Sequence, residues 1–146
     1  MSTGKKPTRI ALFVKVLLVF TLTTVLSACA TADLSRCETG QKAMLSSLLY
    51  FGTAKPGGTV TAEEWQSFVN DTITPRFPEG FTAWPASGQW RSADGVIARE
   101  ASFVVNVVHA ASIDNRSALD GISAAYKARF QQEAVLRSQT ATCVSF

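Results

Sequence analysis

From Leu45 onward the apolar residues of this 146-residue chain switch between a two-residue and a 3.6-residue period, and the order of the switches leaves few architectures open. Leu45 to Gly52 carries Leu48, Leu49, Tyr50 and Phe51 and is closed by glycine, the pattern of a buried strand. Lys55-Pro56-Gly57-Gly58 then breaks the chain. Thr61-Ala62-Glu63-Glu64 forms a capping box, after which Trp65, Phe68, Val69, Thr72 and Ile73 recur at helical spacing. Pro75 predicts the end of that helix near Thr74, because the residue before a proline disfavours helical geometry. Phe81 to Arg91 and the run from Val96 predict two strands joined by the four-residue loop Ser92-Ala93-Asp94-Gly95. A strand from Val96 to His109 is long enough that a bulge is expected near Arg99 to Ser102. Asp114 or Ser117 caps a second helix with Leu119, Ile122, Tyr126 and Phe130 as its apolar stripe, and a last strand falls within Ala134 to Phe146.

Strand, helix, strand, strand, helix, strand is the ferredoxin-like βαββαβ pattern: an α+β fold with an antiparallel four-stranded sheet and two helices on one face. The other face is left open, and a ligand, a protein partner or a homodimer would cover it. If Arg91 pairs with Val96, then Gln89, Arg91, Glu100, Ser102 and Asn106 share the open face, while Trp90, Ile97, Phe103, Val105 and Val107 share the core face. The first set could orient a polar ligand. The plainer alternative is a solvated or dimer-covered face carrying an Arg91 to Glu100 ion pair of little energetic importance. A cofactor-independent enzyme of the dimeric ferredoxin-like type would instead use His109, Glu100 and Arg91, with His109 as general base. No phosphate loop or nucleophile elbow is present, no cofactor is implied, and two cysteines with one histidine lack the number and spacing of a metal site. Trp65, Trp84 and Trp90 read as core or sheet-covering aromatics.

Residues 1–28 form a basic-then-apolar leader: Lys5, Lys6, Arg9 and Lys15, then Val16 to Phe20 and a further stretch to Leu26. Leu26-Ser27-Ala28-Cys29 at its end resembles the lipobox of bacterial lipoprotein precursors. The resemblance implies an acylated Cys29 as the mature N-terminus, with residues 29–40 as lipidated start and tether and 41–146 as one domain. It places the domain on the cell-envelope membrane facing the periplasm. Ala30, rather than aspartate, follows the modified cysteine, which favours the outer membrane. An uncleaved anchor, or cleavage after Ala28-Cys29-Ala30 or Ala30-Thr31-Ala32, are the alternatives. Removing the leader takes four of fourteen basic residues and no acidic one, so ten stand against eleven, which argues against a nucleic-acid partner. With Cys29 assigned to lipid, Cys37 and Cys143 remain as a pair for a disulfide in an oxidising compartment. The expected topology supports the pairing, since the approach to strand one and the end of strand four meet at one edge of the sheet.

Leu49-Tyr50-Phe51-Gly52, Trp65, Thr74 to Gly80, Gly88-Gln89-Trp90-Arg91, Tyr126 to Phe130 and the terminal Cys143-Val144-Ser145-Phe146 occur in an order that resembles a family of small exported bacterial proteins. That family is classed as a domain of unknown function. The resemblance implies export and a single domain, and assigns no activity.

Overall fold

The computed structural model describes residues 37–91 and 94–146; the leader, the lipobox-like segment and the tether up to residue 36 lie outside the described residues. Four long strands, β1 (Lys42–Gly52), β4 (Thr82–Arg91), β5 (Ile97–His109) and β6 (Leu136–Val144), form one antiparallel sheet in the order β4-β5-β1-β6. Two helices, α1 (Ala62–Phe68) and α2 (Ile113–Phe130), supply the crossovers, and this is the ferredoxin-like arrangement. Lys55-Pro56-Gly57-Gly58 folds as a two-residue hairpin between β2 (Ala54–Lys55) and β3 (Gly58–Thr59), with Gly57 in the left-handed region at φ +82°.

The helices form where their caps dictate. Thr61 accepts from the Glu64 amide while the Glu64 carboxylate accepts from the Thr61 amide. After Phe68 the helix widens into a π turn, Val69–Ile73, closed by the Thr74 amide donating to the Val69 carbonyl. Ile73, at the end of the π turn, is buried together with Trp65, Phe68 and Val69. Helix α2 is capped by Ser112, not by Asp114 or Ser117, and it therefore begins earlier than its sequence pattern suggests. The apolar stripe of Leu119, Ile122, Tyr126 and Phe130 is as expected.

Leu49 and Phe51 from β1, Val105 and Val107 from β5, and the two helix stripes make one core. Each of these side chains contributes about 1.5 to 3 kcal/mol by leaving water. Aromatic contacts order the centre: Phe51 meets Tyr126 edge-on at 4.7 Å between ring centroids, and Trp65 stacks on Phe103 at 4.3 Å. Cys37 and Cys143 are joined, with their Cα atoms 5.5 Å apart, at the β1–β6 side of the sheet. Among the described residues no helix is long and apolar enough to cross a membrane.

Strand β5 runs without the expected bulge. It spans 13 residues because its two halves have different partners: Ile97–Asn106 pairs with β4 and Ser102–His109 with β1. Pro85 is accommodated because β4 is an edge strand. The β4–β5 loop is one residue longer than predicted, since Arg91 pairs with Ile97 and not with Val96.

Candidate docking face of the sheet

That one-residue difference decides what the open face carries, because side chains alternate between faces along a strand. Gln89 and Arg91 share the helix side with Arg99, Phe103 and Val105, not with Glu100, Ser102 and Asn106. The proposed five-residue ligand set is therefore split across the sheet, and the Arg91 to Glu100 ion pair does not form. The same slip carries Trp90 out of the expected core set. It joins Trp84 on the open side, 44% and 40% exposed respectively. Gln89 and Glu100 still border a common hollow with Gly88 and Arg99, but it is shallow and open.

On the open side a cross-strand row, Leu136, Tyr50, Val104 and Trp84, runs over all four strands. Val104 is only 3% exposed although no helix among the described residues covers it; its direct neighbours Tyr50 and Trp84 flank it. Ser46 donates to Asn106 at 2.8 Å along the same face. Of all the side chains that alternate onto this face, only Lys42 and Glu100 are charged. The sequence signal for this was available in the even-numbered strand positions, which are uncharged except at Lys42 and Glu100, and the missed contributors are Tyr50, Leu48, Trp84 and Leu136.

Glu100 is held in place: its Oε2 accepts from the Ala54 amide at 2.9 Å, and its carboxylate lies against the Gly52 backbone. Beneath, the Tyr126 hydroxyl donates to the Gly52 carbonyl at 2.8 Å. Burial, then the charges of Glu100 and Glu64, push the Tyr126 phenol well above its ordinary range, so it stays protonated.

His109 belongs to a different place. It lies at the far end of β5 on the core side, nine residues from Glu100, which is about 30 Å of extended strand. Its Nδ1 is 2.9 Å from the Ala110 carbonyl and its Nε2 is 2.9 Å from the Ser47 hydroxyl, which also accepts from the Gln139 amide. Donation from Nδ1–H to the carbonyl leaves Nε2 as the acceptor for Ser47, so every polar atom of the buried cluster is matched. Arg91, Glu100 and His109 do not converge. Among the described residues no group of His, Cys, Asp and Glu is arranged to hold a metal ion.

A family model described as a protein of unknown function, DUF3574, matches residues 46–146. The chain belongs to the DUF3574 family. Among curated proteins none matches it. Solved structures similar to this DUF3574 chain include a phage SAM lyase, both in complex with S-methyl-5'-thioadenosine and in the apo state. Each has a TM-score of 0.53 and 16% identity, covering 76% of this chain and 94% of the other. A second is CutA from Synechococcus elongatus PCC7942 complexed with Bis-Tris, at a TM-score of 0.47 and 16% identity over 72% of this chain and 87% of that one. At these identities the likeness is one of fold.

Proposed function

We propose that this DUF3574 chain is a non-catalytic envelope lipoprotein, anchored through an acylated Cys29, that docks a protein partner on the open face of its sheet. One observation carries the docking reading: a whole sheet face, apolar and aromatic at its centre, carries only two charged side chains and is covered by no element among the described residues. Interface cores are depleted of charge and enriched in aromatic side chains in this way. The basic-apolar leader and Leu26-Ser27-Ala28-Cys29 support the anchor, and Ala30 supports the outer membrane as its destination. The tether then enters at the Cys37 end of the sheet, and the β4–β5 hairpin projects from the opposite end.

A mass spectrum of the mature protein from native membranes tests the anchor. Acyl mass on a chain beginning at Cys29 is expected, and an unlipidated chain overturns the anchor. Docking is tested separately by a photo-reactive amino acid at Trp84 or Leu136 in living cells. A discrete adduct is expected at both positions, and none at either removes the docking reading.

A further inference from the structure

Resting on the docking reading, we infer that the partner on the open face is a second copy of this chain, stacked sheet on sheet about a two-fold axis that runs across the strands. The placement of the two charges carries the inference. Lys42 and Glu100 stand equally far, in opposite directions, from the directly paired residues Leu48 and Asn106. A two-fold axis through that pair, lying between two facing sheets, brings Lys42 of each copy to Glu100 of the other. A parallel stacking would leave both charges without an opposite. The pairing is reciprocal, as an isologous interface requires.

Both partners of the pair are suited to it. Lys42 is exposed and has no ion pair among the described residues, and the Glu100 carboxylate is already positioned by the Ala54 amide. The other residues of the face are apolar, small or uncharged, so a second copy meets no like-charge repulsion. At about 3.3 Å per residue and 4.8 Å per strand, the four strands offer about 700 Å² before side-chain relief is counted. Each partner of a stable complex contributes roughly 800 Å².

The test is a charge exchange in the full chain, read as the dimerisation constant by sedimentation, with circular dichroism confirming that each variant folds. Lys42→Glu alone and Glu100→Lys alone each place like charges opposite one another, and about a tenfold weakening is expected. Mixing the two single variants restores dimers, because every contact is then opposite in sign. The double variant, K42E with E100K, dimerises as the parent does. A parent chain that is monomeric at 100-fold above its cellular concentration overturns the inference, as does a dimer whose constant neither single variant changes. A monomer that still yields a heterologous adduct from position 84 leaves docking standing and removes only the second copy.

Discussion

Gly52 is a glycine because of what lies on it. A Cβ there would stand 2.7 Å from Glu100 Oε1, and the carboxylate is tied to the Ala54 amide. The carboxylate is the movable end of its side chain, so it would swing aside and the hydrogen bond would be lost. Gly52→Ala is therefore expected to cost about 1 kcal/mol in chemical denaturation, and much less in a Glu100→Ala background where nothing is left to displace. Tyr126 holds the other side of the same peptide. Its phenol is raised in the folded state, whereas in the unfolded chain it ionises near pH 10. The unfolded state therefore loses its proton first. Stability from this group is complete below pH 10 and falls as the pH rises beyond it. A stability profile from pH 8 to 11 should flatten at its alkaline end in Tyr126→Phe, and an unchanged slope would exclude Tyr126 as its source.

The strand and helix order, the helix stripes, the capping box at Thr61 and the core side of β5 were all legible, because each is written in local periodicity over several residues. The face of β4 was not. It depends on whether the hairpin loop has four residues or five, and a period of two turns that single residue into an exchange of every side chain between core and surface. Placing Trp90 inside followed from pairing Arg91 with Val96; with Arg91 opposite Ile97, the helix side of β4 is lined by Ala83, Pro85 and Ser87, and the large rings of Trp84 and Trp90 stand on the other face. The same element has a dynamic consequence. Beyond Ser102 the hairpin is nearly a free two-stranded arm, tied to the rest of the described residues by hydrogen bonds of Thr53 and Ala54 and by the Glu100 carboxylate against Gly52. Two strands without a core face are marginal in water. Paired amides of Gln89 to Arg91 and Ile97 to Arg99 should exchange with deuterium at least a hundredfold faster than those of Val105 and Val107. Equal protection would mean that the arm, too, is covered by a partner.

At the scale of the molecule, the disulfide and the arm mark opposite ends of one sheet. Following β1 from Lys42 to Gly52 and then β5 back from Ser102 to Ile97 gives about 50 Å of extended backbone at 3.3 Å per residue. The bridge closes a loop with a sequence separation of 106, which takes in nearly the whole domain. Its effect lies chiefly in the unfolded chain, where the closed loop restricts the ensemble by roughly 4 to 5 kcal/mol in the chain-entropy model. Cys37→Ala with Cys143→Ala should lower the unfolding free energy by about that amount. The urea slope should rise at the same time, because the uncrosslinked denatured chain exposes more surface. A fall in midpoint with an unchanged slope would instead place the loss in the folded state, at the join of β1 and β6, and would make the bridge a local clamp on the entry point of the tether.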